Sequence, residues 1–157
     1  MPPFPLPEHI EPSLRPAHDY WRSLRRAGNE MPFWDDLRLS AVEEMKGRLC
    51  LLDVLEQPLR FRFSQAGSEI VKLYEGDLVG RFTDEIGARP PLDYFGSQCG
   101  ATIESRAPTY YAHGNGRRPA GAQYYARLLL PLWGEGAVRM LLGAVAFGGS
   151  ESTRRLE

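Results

Sequence analysis

Few side chains in this sequence have the type and spacing to do chemistry. The three histidines are His9, His18 and His113. His9 lies in a proline-rich stretch and reads as solvated, and His18 falls in a first helical turn, where a surface position is the simpler reading. His113 ends a strand-like run beside a glycine-rich loop, where an imidazole could act as acid/base or as an axial ligand to haem iron. No second ligand or attachment motif accompanies it. HExxH, CxxC and carboxylate–histidine spacings are missing, as is the GxSxG elbow of a serine nucleophile. Gly76-x-x-x-Gly80 lacks the Gly-Lys-Ser/Thr of a phosphate loop, and turn glycines account for it. Cys50 and Cys99 are most simply buried small hydrophobes. Asp53 interrupts an apolar strand; a lone carboxylate there is costly to bury, so it is expected to point outward or to pair with Arg62 on the neighbouring strand.

Bulk properties narrow the classes further. The chain has 157 residues, is 43% hydrophobic and carries a formal net charge of -1. That length suits one domain with a sizeable core. Near-neutral charge removes the electrostatic case for nucleic acid, which needs clustered excess Lys and Arg. The 17 arginines against two lysines, Lys46 and Lys72, are read as coding bias. The longest apolar run, 137–147, is broken by Arg139 and Gly143 and falls short of the roughly 20 residues that span a bilayer. Pro2, Pro3, Pro5 and Pro7 occupy the place of a secretory leader, and two cysteines make no disulfide framework; a cytoplasmic location is expected.

The elements that must position these residues follow from periodicity. Residues 1–16 hold six prolines and read as a flexible arm, residues 17–148 as one domain, and 149–157 as a disordered tail. A short amphipathic helix starts at Pro16, with Tyr20, Trp21 and Leu24 on one face and Gly28 as its stop. Ser40 and Glu43 have capping-box spacing ahead of a second helix that ends at Gly47. Leu49–Leu55 and the strictly alternating Arg60–Ser64 make a hairpin turned at Gln57-Pro58. Helical spacing returns over 68–76, a further turn follows at 83–85, and Pro90-Pro91 opens a helix to Ser105 with Leu92, Phe95, Cys99, Thr102 and Ile103 on one stripe. Three β-type runs close the chain, at 109–113, 123–133 and 137–147, with Gly134-Glu135-Gly136 as a tight turn. Strands in runs, without βαβ alternation, argue for an α+β fold with an antiparallel sheet.

The order β-β-helices-β-β-β resembles the PAS domain, a small sensory fold. Local strings resemble a bacterial group of small stand-alone PAS-like proteins: Tyr20-Trp21, Leu51-Leu52-Asp53-Val54, Arg60-Phe61-Arg62-Phe63 with Ala66-Gly67-Ser68, Gly76-Asp77-Leu78-Val79-Gly80-Arg81, and Arg127-Leu128-Leu129-Leu130-Pro131-Leu132. Together they span about residues 18 to 148. The resemblance implies a five-stranded antiparallel sheet of order 2-1-5-4-3 with helices on one face, plus an extra N-terminal helix. It also implies signal sensing, often through a pocket between sheet and helices, and dimerisation through a flanking helix, here Tyr20, Trp21 and Leu24. Neither a haem nor a flavin signature is present; the reactive cysteine of light-sensing flavin PAS domains lies in Asn-Cys-Arg-Phe, whereas Cys99 lies in Ser97-Gln98-Cys99-Gly100.

Phe61, Phe63, Tyr74, Phe95, Cys99, Ile103, Tyr111 and Tyr125 are the candidate lining of such a pocket, where tyrosines join apolar rings to orienting hydroxyls. Tyr110-Tyr111 and Tyr124-Tyr125 must each send one ring to either face of the sheet, and parity alone leaves the choice open. The expected function is a non-catalytic sensory module, a homodimer that binds a small apolar molecule or a protein and signals to a separate output protein. The alternatives are a small α+β enzyme using His113 as acid/base and a purely structural dimerisation module.

Overall fold

The computed structural model describes residues 3–87, 89–113 and 125–147. A turn of 3-10 helix, Pro12–Leu14, leads into α1, Arg15–Ser23. Further 3-10 segments, Trp34–Asp36 and Leu39–Arg48, precede the hairpin of β1, Leu49–Leu55, and β2, Arg60–Ala66. Helix α2, Ser68–Tyr74, the turn Thr83–Glu85 and helix α3, Phe95–Ser105, follow, and then β3, Thr109–His113, β4, Tyr125–Gly134, and β5, Ala137–Phe147. The strands form one antiparallel sheet, as the pattern of runs predicts, in the order β2-β1-β5-β4-β3 that the resemblance implies. The β4–β5 turn is made by Glu135 and Gly136, both at positive φ, the geometry whose twist matches that of paired strands.

Register sorts the side chains into two faces. Leu52 pairs with Phe63 and Leu141, Gly143 with Leu129, Val145 with Arg127, and Arg127 with Tyr111, so these residues share one face. Phe63 stacks on Phe95 of α3 at 5.5 Å between ring centres, which makes this the helix-covered, inner face. Leu128, Leu130, Leu142 and Ala144 point the other way and are also fully buried. The N-terminal segment covers that outer face. The Glu11 amide donates to the Tyr110 hydroxyl, and Pro12–Leu14 and Leu39–Arg48 pack on β5. Burial on both faces is why β4 and β5 read as near-continuous apolar runs and not as alternating ones.

Parts of both sheet edges are covered by bonds from outside the ladder. β4 outlasts β3, and along the exposed part Trp21 Nε1 donates to the Pro131 carbonyl at 2.8 Å while Trp133 N donates to Pro32 O at 2.8 Å. Pro131 has no amide to waste at such a position. On the far edge, Phe63 N bonds to Arg81 O and Gly80 N to Phe63 O. An uncovered edge would template pairing with other chains.

Three local expectations change. The proline arm is not free to its end, because Leu14 is fully buried and Tyr110 N bonds to Phe4 O. The helix expected at Ser40 is a 3-10 run, Leu39–Arg48, kinked at Val42, whose N-cap is Arg38 with no side-chain cap bond. The helix expected from Pro90-Pro91 starts at Phe95 instead, because the Pro91 and Asp93 carbonyls are turned to the Arg127 guanidinium and not along a helix axis. The β4 strand begins at Tyr125; Gln123, Tyr124, the 114–121 loop and the 149–157 tail lie outside the described residues. No helix among the described residues is long and apolar enough to cross a membrane.

Candidate functional site

Helix α3 lays Phe95, Gln98, Cys99 and Thr102 on the inner face of the sheet; the spacing i, i+3, i+4, i+7 is one stripe of a 3.6-residue helix. Opposite them stand Phe63, Thr109, Tyr111, Tyr125, Arg127 and Leu129. The centre of this contact is the fully buried Arg127. Its Nε donates to Gln98 Oε1 at 2.7 Å, Nη1 to Pro91 O at 2.7 Å and Nη2 to Asp93 O at 3.0 Å. The guanidinium lies over the Phe95 ring at 5.1 Å and the Tyr111 ring at 4.9 Å. Burial pushes its pKa down to about 10, countered in part by Cys99, Asp93 and Tyr111. At neutral pH it stays a cation, held by carbonyl dipoles and π faces and, among the described residues, by no direct ion pair with a carboxylate.

The polar network extends from there. Gln98 Nε2 donates to Thr109 Oγ1 at 3.1 Å, and the Thr102 and Thr109 hydroxyls share a hydrogen bond at 2.6 Å. Tyr111 donates its hydroxyl to Asp93 Oδ2 at 3.3 Å; burial first, and then the Asp93 charge, raise its pKa. Among the described residues, Asp93 Oδ1 and the Tyr125 hydroxyl are buried without a hydrogen-bond partner. A fork of fixed donors is what a planar guanidinium offers and a lysine ammonium does not.

The candidate lining residues divide. Phe63, Phe95, Tyr111 and Tyr125 meet around Arg127, with ring centres of Tyr111 and Tyr125 6.0 Å apart. Cys99 is fully buried beside them, and Cys50 is buried nearby, its thiol pushed up to about 12 by desolvation; the Cys99 thiol is raised for the same reason. Phe61 is buried on the same face of β2, and Ile103 is half-buried against the core. Tyr74 is elsewhere: its hydroxyl accepts from Gly87 N at 2.7 Å, and Arg89 lies over its ring at 4.1 Å. Of the tyrosine pair on β3, Tyr111 faces inward, while Tyr110 takes the outer face. In place of an open cleft at Phe63 and Phe95, two rings are stacked.

Trp21 is 3% exposed and is held by its own sheet, so this residue of the expected dimer face is occupied within the chain. Tyr20 is half-buried and accepts a bond from Arg38 N; Leu24 is half-buried. Asp53 and Arg62 pair across β1 and β2 at 3.2 Å, as expected. His113 is exposed and stacks on Tyr125 at 5.2 Å between ring centres; among the described residues it has no carboxylate partner. Within the same residues, no group of three or more His, Cys, Asp or Glu side chains is placed to hold a metal ion.

Sequence reasoning missed Arg127 and Gln98 as the hub. A signal was present, since Arg127 interrupts an apolar strand and shares parity with Tyr125 and Leu129, and Gln98 sits three residues after Phe95 and four before Thr102. No family model, curated protein or solved structure matches this chain.

Proposed function

We propose that this chain is a non-catalytic sensory or adaptor module of PAS type, which passes its signal through contacts with a separate protein. The observation that carries this reading is the sheet of order β2-β1-β5-β4-β3 clasped on its inner face by α3, with the two tied together through Arg127. One guanidinium couples β4, the 91–93 turn and α3, so displacing α3 requires several charge-assisted bonds to break together. Such an element has discrete positions and not a continuum of them, which is what population shift by a bound molecule needs. The Phe63–Phe95 stack occupies one part of the place expected for a small apolar ligand, and this favours a protein partner as the input or output. The acid/base alternative has little support: His113 is exposed, and its ring is engaged by Tyr125.

Native mass spectrometry of the full chain, with thermal shift against a metabolite library, tests the reading. No compound is expected to copurify at one per chain or to stabilise the protein. A stoichiometric apolar ligand would turn the module from partner binding to ligand sensing. A turnover that falls by about 10²-fold or more in His113→Ala would replace it with an enzyme.

A further inference from the structure

The chain is nearly neutral overall, yet one groove on its surface gathers more arginines than carboxylates. Between α1 and the corner joining α3 to β3 lies a cleft of about 480 Å³ walled by Arg22 and Arg25 on one side and Arg106 on the other. Leu6, which is exposed, and Pro108 supply its apolar surface above the buried Trp21, and His18 stands at the same wall. Adjoining hollows are lined by Arg22, Arg25 and Arg26, and by Arg106 with Met31 and Trp133, with Glu30 shared by both, so the groove continues past Gly28. Among the described residues Arg22, Arg25 and Arg106 form no ion pair, whereas Arg26 is bound to Asp36 at 2.9 Å. The acidic groups facing the groove are Glu30 and, at its α1 end, Asp19. The His18 imidazole feels the imbalance: its pKa is lowered by burial, then by Arg22 and Arg25, with Asp19 opposing.

We propose that this groove docks an acidic segment of a partner protein, one that also carries an apolar side chain. The inference rests on the proposed adaptor role and names the chemistry of its partner. Guanidinium forks match carboxylates geometrically, and a cleft with Pro108 and the exposed Leu6 in its wall offers apolar surface beside them. A net charge of -1, and the carboxylates of Glu30 and Asp19 beside the arginines, disfavour an extended polyphosphate. Arg25 and Arg106 lie near Trp21 and Trp133 at 5.6 Å and 5.4 Å, contacts that limit how far each side chain wanders before a ligand arrives.

Isothermal titration of the full chain with a short synthetic peptide of repeated Glu-Asp-Leu tests this. Binding should weaken about tenfold or more between ~50 mM and ~300 mM salt, as for a contact made by exposed charges. Arg22→Glu with Arg25→Glu, and separately Arg106→Glu, should each reduce affinity by about tenfold or more while thermal unfolding stays near that of the parent. Lys72→Glu, on α2, should change nothing. Absence of binding at low salt, or equal loss in Lys72→Glu, overturns the proposal. So does binding of inorganic phosphate or single-stranded DNA through the same arginines with the peptide silent. Any of these leaves the sensory reading standing, because that reading is decided by copurification and by His113→Ala.

Discussion

Arg127 shows how a single buried charge can organise a contact between layers. Its own burial is unfavourable, as the lowered pKa records, and the cost is offset only while all three acceptors and both rings are in place. Arg127→Met keeps the volume but strands Gln98 Oε1, Pro91 O and Asp93 O, and should destabilise by about 3 kcal/mol or more. Gln98→Leu strands the Nε donor and frees Thr109, and should cost about 2 kcal/mol. Because the two side chains share one bond, the double variant should cost clearly less than the sum. Urea unfolding of the three variants measures this; additive losses would show that Arg127 and Gln98 act independently. The bonds joining Arg127, Gln98, Thr109 and Thr102 also raise the cost of alternative packings of α3, since each would break several of them at once.

At the scale of elements, α1 acts as a brace for β4. Its buried residues, Ala17 and Trp21, face the domain, and the Trp21 indole reaches the one stretch of β4 that β3 leaves unpaired. Trp21→Phe retains most of the apolar contact and loses the bond to Pro131 O, a loss of about 1 kcal/mol. Trp21→Ala also empties a large volume and should cost about 3–5 kcal/mol. Thermal or urea unfolding of the purified variants separates the two terms. If Trp21→Ala leaves stability unchanged but alters sedimentation, then α1 belongs to an interface between copies, as its sequence alone had suggested.

The whole molecule is a sheet packed on both sides, and its two coverings come from different parts of the chain. Residues 68–105 cover the inner face; the segment before Leu49 covers the outer one. Removing residues 1–28 would strip Leu14, Ala17 and Trp21 from the domain and expose part of the outer face near Leu128, Leu130 and Leu142. The truncated chain should bind an apolar dye and elute as aggregates in size-exclusion chromatography, as expected for a large uncovered apolar patch. A soluble, cooperatively unfolding product would show instead that the N-terminal segment is an accessory and not part of the core.

Much of this architecture was legible in the residues because it depends on short-range periodicity. Alternation in Arg60–Ser64, the 3.6-residue stripe from Phe95 to Thr102, and glycine around Glu135 are local signals, and they determined the strands, the helix face and the turn. The Asp53–Arg62 pair was also within reach, since neighbours across a hairpin follow from its register. What only the tertiary structure decided are the partnerships between distant segments. Parity could not choose between Tyr110 and Tyr111, because both faces of the sheet are buried and the usual polar-out signal is erased. Pro90-Pro91 carries the local mark of a helix start, yet the carbonyls around it are claimed by a guanidinium 36 residues away from Pro91. Trp21 could have served a second copy equally well; the unpaired carbonyl of Pro131, 110 residues further on, settled its place.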